Sequence, residues 1–383
     1  MRAPCKKHSA GRAGSGISLR LAARRLHAAI KVKIAQIAPL AESVPPRLYG
    51  GTERVVSYLT EELVRLGHEV TLFASGDSST RAELVPCVPR SLRLAGAKDP
   101  LASLVLMLER VRKRAGEFDV LHFHIEHAHL PVFRGLGRKC VTTLHGRLDL
   151  PELGPLYREF NDMPLVSISN FQRQPLPFVN WAGTVYHGLP DEVCPLNPSP
   201  PRGPGRYFAF LGRISPEKGL ERAVEVARRS GVRLRIAAKV DPVDEEYFRA
   251  SIAPLLSDPL IEFIGEVDEA GKPGFLGRAA ALLFPIDWPE PFGLAMIEAM
   301  SCGTPVIAWR EGAVPEIVDE EVTGLIVESI DEAVAAAARI GRLDRTRVRA
   351  RFDERYSAAR MARDYLSIYR SLGRTQALRA VQP

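Results

Sequence analysis

The feature that most constrains the fold is a regular alternation of short apolar segments with amphipathic ones, which begins at residue 31 and begins again after residue 206. Compact apolar runs at 31-KVKIAQIAP-39 and 68-HEVTLFAS-75 flank the segment 52-TERVVSYLTEELVRLG-67, whose apolar residues recur at helical spacing. Short apolar strands that alternate with helices indicate a parallel sheet covered by helices on both faces. The sequence therefore predicts an α/β protein.

A proline-rich segment divides this alternation into two parts. The segment 195-PLNPSPPRGPGR-206 holds five prolines and two glycines in twelve residues, which is typical of a linker. At 383 residues the chain is long enough for two domains. We predict a first doubly wound domain at 31–194, with its last strand at 183–188, and a linker at 195–206. A second doubly wound domain should follow at 207–356, with a last helix within 357–383. Ligands of open parallel sheets bind beyond the carboxyl ends of the strands, so we expect the site in the cleft between the domains.

The charge of the chain gives no case for a nucleic-acid partner. Seven of its 52 Lys and Arg residues, and none of its 45 Asp and Glu residues, lie in residues 1–30, so the net charge of +7 comes from this head. The rest of the chain is balanced and offers no broad attraction for a polyanion. We expect residues 1–30 to be a disordered extension, with a translation start placed too early or a targeting peptide as the alternatives.

The cysteines indicate the compartment. The chain has five, an odd number, and they are scattered without a C-x-x-C pair. This spacing predicts reduced thiols and no structural zinc. We therefore expect a cytoplasmic protein.

Two cations follow the first strand predicted for the second domain, in 211-LGRISPEKGL-220. Ser215 and Pro216 are typical of a helix start, so Arg213 and Lys218 should lie close to a helix N-terminus. Unpaired N–H groups and the helix dipole favour an anion there, and a guanidinium with an ammonium would complete a cradle for a diphosphate. Two solvated surface cations are the alternative.

Two carboxylates flank Phe-Gly-Leu in the apolar segment IDWPEPFGLAMIEAMSCGTPVIA, which starts at residue 286. We predict that Glu290 lies in a loop and that Glu298 points into the same cleft from a helix that begins near Phe292. Glu298 can accept two hydrogen bonds from a vicinal diol such as a ribose. Glu290 suits a sugar hydroxyl or the positive charge that develops at an anomeric carbon. Either acid alone would be better explained as a loop or helix-end residue. Backbone N–H groups at the helix start, able to hold phosphate or sugar oxygens, belong to Phe292, Gly293 and Leu294.

Two further candidates lie in the first domain. The segment 46-PRLYGGTERVV-56 would bring Gly50 and Gly51 close to a ligand at the start of a helix, although it is not the G-x-G-x-x-G of a dinucleotide site. His145 ends a predicted strand and would face the cleft, where it could bind a substrate hydroxyl or carbonyl. The histidines of 122-HFHIEHAH-129 lack a further ligand at a recognisable spacing, so we predict no metal site.

Together these segments resemble the retaining glycosyltransferases of family 4, which have the GT-B fold. The resemblance rests on EPFGLAMIEAMSCGTPVIA, GRISPEKG, YGGTERVV and 312-GAVPEIV-318, and it extends from residue 31 to the last helix. It implies two Rossmann-like domains with an interdomain cleft, and a last helix that crosses back onto the first domain.

The resemblance also implies an activity. The enzyme would be a hexosyltransferase that uses a nucleotide-diphosphate sugar as co-substrate, with uridine favoured over guanosine and adenosine, and that needs no metal or other cofactor. The diphosphate would lie beside Gly51 and be held by Arg213 and Lys218, which stabilise the departing nucleoside diphosphate during a same-face displacement. The implied catalytic residues are Glu290, His145, Arg213 and Lys218. The implied donor-binding residues are Gly50, Gly51, Arg213, Lys218, Gly265, Glu266, Phe292, Gly293, Leu294 and Glu298, of which Gly265 and Glu266 match the region that reads the base.

Other functions and the acceptor stay open at this point. A sugar-nucleotide epimerase of the same architecture is the alternative; a dehydrogenase is disfavoured because the first domain lacks G-x-G-x-x-G. The acceptor could be a glycan, a lipid or a small metabolite, bound by the first-domain loops at 76–99 and 147–156. The basic segment 110-RVRKRAG-116 would allow contact with an anionic membrane surface at its inner face, with a solvated helix end as the alternative.

Overall fold

The computed structural model describes Met1 and residues 31–193, 195–199 and 203–380. The extension expected at residues 1–30 lies outside the described residues apart from Met1, and the predicted linker is described in part.

The first domain is built on a sheet of seven strands. These are β1 (Lys33–Ile37), β2 (Glu69–Ser75), β3 (Glu83–Val88), β4 (Val120–Phe123), β5 (Cys140–Thr143), β6 (Leu165–Ser167) and β7 (Trp181–Thr184). Their order across the sheet is β3-β2-β1-β4-β5-β6-β7, and every pairing is parallel. The central strands are buried along nearly their whole length, as expected where helices cover both faces.

Five α-helices belong to this domain: α1 (Gly51–Arg65), α2 (Pro100–Arg114), α3 (Leu130–Phe133), α4 (Leu153–Glu159) and α5 (Asn170–Arg173). In α1, Val55, Leu59 and Leu63 recur every four residues and are buried against the sheet. In α2, the Asp99 side chain caps the first turn by accepting a hydrogen bond from Leu101 N over 3.0 Å, and Pro100 takes the first helical position.

Two segments of this domain differ from the sequence prediction. Residues 76–99, expected as a loop, contain the edge strand β3, in which Pro86 interrupts the apolar pattern but is tolerated because the strand lies at the edge of the sheet. The last strand was expected at 183–188 and is β7, Trp181–Thr184. The chain leaves the sheet there, since Leu189 forms a bridge with Ser357 instead.

The second domain repeats the pattern with six strands. These are β8 (Tyr207–Arg213), β9 (Arg233–Lys239), β10 (Ile261–Gly265), β11 (Ala281–Phe284), β12 (Val306–Trp309) and β13 (Gly324–Val327), all parallel in the order β10-β9-β8-β11-β12-β13. Its helices are α6 (Leu220–Ser230), α7 (Glu245–Tyr247), α8 (Lys272–Gly277), α9 (Leu294–Ser301), α10 (Val314–Ile317), α11 (Ile330–Arg339) and α12 (Arg345–Arg355). The prediction of two doubly wound α/β domains is confirmed.

The last helix, α13 (Ala358–Ala380), packs on the first domain although it follows the second in sequence. Its Tyr365 and Tyr369 are buried in the same apolar cluster as Ile34 of β1. The chain crosses between the domains twice, and the two connecting segments are hydrogen-bonded to each other. Leu189 N donates to the carbonyl of Tyr356 over 2.8 Å.

The strand order of each sheet reverses at a central pair, β1 with β4 in the first domain and β8 with β11 in the second. Loops that follow such a pair diverge and leave a crevice at the carboxyl ends of the strands. The two crevices face each other across the domain boundary, and the cavity described below lies between them.

Among the described residues, none of the helices combines the length and the apolar composition that crossing a lipid bilayer requires.

Candidate active site

A cavity of about 500 Å³ lies between the domains and is lined by residues of both. Gly265 is the candidate that does not line it; this glycine ends β10 with φ 73°, and its neighbour Glu266 reaches the cavity instead. The candidates that line the cavity are Gly50, Gly51, His145, Arg213, Lys218, Glu266, Glu290, Phe292, Gly293, Leu294 and Glu298.

Lys218 and Glu290 form an ion pair in the wall of this cavity. Lys218 Nζ lies 2.6 Å from Glu290 Oε2, and the two side chains are 18% and 12% exposed. Trp288 Nε1 donates to the same oxygen over 2.9 Å, and the ammonium lies 4.7 Å from the centre of the Trp288 ring, a cation–π contact. Because the pair is not fully buried, an anion that enters the cavity can compete with Glu290 for the ammonium.

Arg213 ends β8 among three carboxylates. Its Nη2 lies 2.6 Å from Glu217 Oε1, its Nη1 3.9 Å from Asp241 Oδ2, and its Nε 3.5 Å from Asp244 Oδ2. Burial opposes the charge of the guanidinium, but the hydrogen bond to Glu217 and the nearby carboxylates outweigh it and raise the pKa of Arg213. The residue therefore presents a permanent positive charge to the cavity.

The two cations stand just before the helix and not in its first turn. Pro216–Lys218 form a 3-10 turn, and α6 begins only at Leu220. Between them Gly219 adopts φ 63°, and a Cβ on this residue would lie 2.1 Å from the carbonyl oxygen of Pro285. This close backbone contact joins the loop after β8 to the loop after β11, so Lys218 can reach Glu290.

The loop that carries Glu290 is held by the segment 312–318. Ala313 N donates to the carbonyl of Glu290 over 2.9 Å. Gly312 adopts φ 58°, and a Cβ there would lie 2.3 Å from that carbonyl oxygen and 2.4 Å from Glu290 N. Only glycine fits this position without moving Glu290.

The helix after Glu290, α9, begins at Leu294, later than the predicted start near Phe292. Gly293 takes φ 87° and thereby ends the loop. Leu294 reaches across the boundary, since its Cδ1 lies 3.2 Å from where a Cβ on Gly51 would be. The glycine-containing loops of the two domains thus approach each other directly.

Glu298 lies in α9 and is paired with a buried lysine. Lys272 Nζ lies 2.5 Å from Glu298 Oε1, and the two side chains are 9% and 8% exposed. Burial opposes the charge of Lys272, but Glu298 and Glu269 outweigh it and raise the pKa of the ammonium. Glu298 therefore keeps a fixed orientation while it lines the cavity.

His145 belongs to a buried network of hydrogen bonds that runs back to α13. Its Nε2 lies 3.0 Å from His124 Nδ1, and His124 Nε2 lies 2.8 Å from Gln36 Oε1. Gln36 Nε2 donates to Tyr369 OH over 3.3 Å. Burial lowers the pKa of His145 to about 3, so this imidazole is neutral at neutral pH.

Two other histidines of 122–129, His122 and His129, are buried and hydrogen-bonded within the first domain or to α13. His122 lies 2.7 Å from Tyr369 OH and 2.8 Å from Thr143 Oγ1, and His129 Nε2 lies 2.8 Å from Thr142 Oγ1. No group of three or more His, Cys, Asp or Glu side chains in the described part of the chain is placed to hold a metal ion.

Among the residues of the cavity wall that sequence reasoning missed are Trp288, Lys272 and His187. Trp288 stood inside the segment already singled out, two residues before Glu290, so an indole N–H beside an acid could have been noticed. Lys272 lies 26 residues from Glu298 in sequence, and His187 lies still further from His145. His187, for example, stacks on His145 with ring centres 5.4 Å apart, a contact that only the tertiary structure creates.

Family models match both domains. The model described as "Glycosyltransferase Family 4" matches residues 49–184, and the model described as "Glycosyl transferases group 1" matches residues 197–356.

Curated relatives match nearly the whole chain. A phosphatidyl-myo-inositol mannosyltransferase of Mycobacterium leprae is 27% identical over 355 residues, which cover 86% of this chain and 91% of the relative. A glycogen synthase of Mycobacterium tuberculosis is 25% identical over 388 residues, with 85% and 93% covered. These relatives are transferases, and nothing found supports the epimerase alternative.

Solved structures share the fold. The glycosyltransferase AviGT4, involved in avilamycin A biosynthesis, has a TM-score of 0.68 and 24% identity, with 89% of this chain and 98% of that chain covered. HepE of Anabaena, in complex with UDP and glucose, has a TM-score of 0.66 and 17% identity, with 89% and 100% covered.

Proposed function

Because the chain belongs to the family 4 glycosyltransferases and has the GT-B fold, we propose that it transfers a hexose from a nucleotide-diphosphate sugar to an acceptor hydroxyl with retention of the anomeric configuration. The observation that carries the proposal is the pair of cations, Arg213 and Lys218, in the wall of an interdomain cavity that also holds Glu290 and Glu298.

The proposed donor lies with its diphosphate at the two cations. Arg213 and Lys218 neutralise the charge that develops as the bond from the anomeric carbon to the phosphate oxygen breaks. The charges of two fixed cations suit a reaction without a metal ion. Glu298, oriented by Lys272, accepts hydrogen bonds from the ribose hydroxyls.

Retention follows from attack on the face that the diphosphate leaves. In this step the acceptor oxygen bonds to the anomeric carbon, the bond from that carbon to the phosphate oxygen breaks, and the acceptor proton passes to the departing phosphate. Glu290, held by Trp288 and the backbone at Gly312, is proposed to stabilise the positive charge that develops at the anomeric carbon. His145 is neutral and contacts the sugar from the first domain.

We propose that the donor is a uridine-diphosphate sugar. Support comes from HepE, a protein of the same fold that was solved with UDP and glucose. Glu266, directly after β10, is proposed to face the base.

The acceptor is proposed to bind from the first domain. Arg93 of segment 76–99 lines the main cavity, where its Nη1 lies 3.0 Å from Glu42 Oε1. Arg147 and Asp149 of segment 147–156 line a smaller cavity of about 140 Å³ beside Pro291. The names of the relatives include a lipid and a polysaccharide, which supports a lipid or a glycan as the acceptor. A small metabolite is the third candidate.

Peripheral contact with the inner membrane face is a further part of the proposal. Helix α2 exposes Leu101, Val105 and Leu106 by 64%, 56% and 60%, and its end at residues 110–114 is basic. An apolar helix face next to basic residues suits the surface of an anionic bilayer.

Replacement of Leu101, Val105 and Leu106 by serine should abolish flotation of the protein with vesicles that contain phosphatidylglycerol. The control is Val243→Ser, which changes an apolar residue that is 82% exposed in the second domain and should leave flotation unchanged.

The function is tested with a thermal-shift panel of UDP-, GDP- and ADP-sugars. One nucleotide class should raise the melting temperature selectively, and Arg213→Ala and Lys218→Ala should each reduce that rise. Flat melting curves across all donors would refute the proposal.

A further inference from the structure

A chain of charged contacts crosses the domain boundary beside the proposed ribose site. Arg54 and Tyr58 lie on α1 of the first domain, and Glu269 precedes α8 of the second. Arg54 Nη1 lies 2.6 Å from Glu269 Oε2, and the Tyr58 hydroxyl donates to the same oxygen. One carboxylate of the second domain is therefore held by two side chains of the first.

The series of charged contacts continues into the second domain as far as Glu298. Lys272 Nζ lies 2.6 Å from Glu269 Oε1 and 2.5 Å from Glu298 Oε1, so it bridges the two carboxylates. Together with Arg54 the cluster has two positive and two negative charges. Arg54, Lys272 and Glu298 are each less than 10% exposed, so removal of one member would leave its partner charged and poorly solvated.

The other end of the Arg54 guanidinium holds the loop after β1. Its Nη2 donates to the carbonyl of Leu48 over 2.5 Å. That loop ends at Gly50, and α1 begins at Gly51; both glycines line the cavity. Arg54 thus fixes both the first-domain loop and the carboxylate across the boundary.

We propose that Arg54 and Tyr58 are positioning residues that couple the closed arrangement of the two domains to nucleotide binding through Glu269, Lys272 and Glu298. This inference rests on the proposed function, because it takes Glu298 as the residue that binds the ribose.

The coupling has a simple physical basis. While Arg54 holds Glu269 across the boundary, Lys272 lies between Glu269 and Glu298 and keeps Glu298 oriented for a ribose. By linkage, the contact across the boundary strengthens nucleotide binding to the same extent. Neither Arg54 nor Tyr58 needs to touch the nucleotide for this effect.

The test is a double-mutant cycle with Arg54→Met and Glu269→Gln, using titration calorimetry with UDP, GDP and ADP as probes. Each single variant should weaken binding of the preferred nucleotide by about tenfold, and the double variant by no more than either single one. Tyr58→Phe removes only one hydroxyl and gives a milder loss in the same direction, which keeps the test usable if Arg54→Met does not fold. The matched control is Arg65→Met, on the same helix, whose exposed pair with Glu62 does not cross the boundary.

Small-angle scattering separates positioning from a merely structural role. The wild type should become more compact when the nucleotide is added, and the folded Arg54 and Tyr58 variants should lose that change. The coupling is refuted if the Arg54, Tyr58 and Glu269 variants bind the nucleotide and become compact as the wild type does. The proposed function still stands in that case, provided that the wild type binds the nucleotide and Lys218→Ala weakens this binding. If none of the three nucleotides binds the wild type, both are refuted.

Discussion

At the scale of single residues, the site depends on how neighbouring charges share their partners. Glu290 carries an ammonium at 2.6 Å and an indole N–H at 2.9 Å on one oxygen, so its charge is oriented as well as compensated. The same contact means that an incoming diphosphate must compete with the Glu290 carboxylate for the Lys218 ammonium.

Glu290→Gln separates the role of the carboxylate in turnover from its role in binding. Glutamine keeps the size and can still accept from Trp288, but it releases Lys218 for the diphosphate. We expect turnover to fall about 10²-fold, while the affinity for the nucleoside diphosphate stays equal or rises. Steady-state kinetics together with calorimetry measure both quantities, and a parallel loss in the two would contradict the assigned role.

The buried histidines make the folded state sensitive to acid. For His129, burial and the neighbouring His127 lower the pKa from 6.5 to about 3. Between these values the unfolded chain carries a proton that the folded chain lacks, so the stability that is present above pH 6.5 is lost as the pH falls. The loss from this one residue is up to about 1.4 kcal/mol per pH unit.

His129→Gln should therefore reduce the slope of the unfolding free energy against pH between about pH 6 and 4. The expected reduction corresponds to the uptake of one proton on unfolding. Urea unfolding of both proteins across this range measures the difference between the two slopes. Equal slopes would show that His129 titrates normally in the folded chain.

At the scale of elements, the loops after β8, β11 and β12 act as one unit because their backbones touch. Gly219 packs on Pro285, and Gly312 packs on Glu290. The site is thus assembled from backbone contacts between loops as much as from side chains.

Gly312→Ala should displace the Glu290 loop without changing any polar side chain. A Cβ would lie 2.3 Å from the Glu290 carbonyl, and φ 58° is strained for alanine, so we expect a loss of about 1–3 kcal/mol in stability and a marked loss of turnover. The control is Gly341→Ala, where a Cβ meets no atom within 4 Å. Unfolding and kinetic assays compare the two variants. A fully active Gly312→Ala enzyme would show that Gly312 is not needed to hold the Glu290 loop.

At the scale of the whole molecule, α13 joins the two domains. It follows the second domain in sequence, yet Tyr369 completes the hydrogen-bond network behind His145 by contacting Gln36 and His122. The position of one catalytic candidate therefore depends on a helix more than 200 residues further along the chain.

Tyr369→Phe should destabilise the protein by about 1–3 kcal/mol, because it leaves buried polar groups of Gln36 and His122 without a partner. Tyr49→Phe, at a tyrosine 41% exposed, should cost much less. Denaturant unfolding measures both, and equal effects would mean that water replaces the Tyr369 hydroxyl.

The sequence by itself determined the two parallel sheets, the order of elements and eleven of the residues that line the cavity. Apolar alternation is a local signal, and residues after strands such as Arg213, Lys218 and His145 can be assigned to the carboxyl edge of a sheet without coordinates. Only the tertiary structure decided that β3 is an edge strand despite Pro86, that α6 and α9 begin after left-handed glycines, and which groups pair with which. The pairs Lys218–Glu290, Lys272–Glu298 and Arg54–Glu269 join residues distant in the chain. Such partners are set by the packing of loops and domains, and no local pattern of residues encodes that.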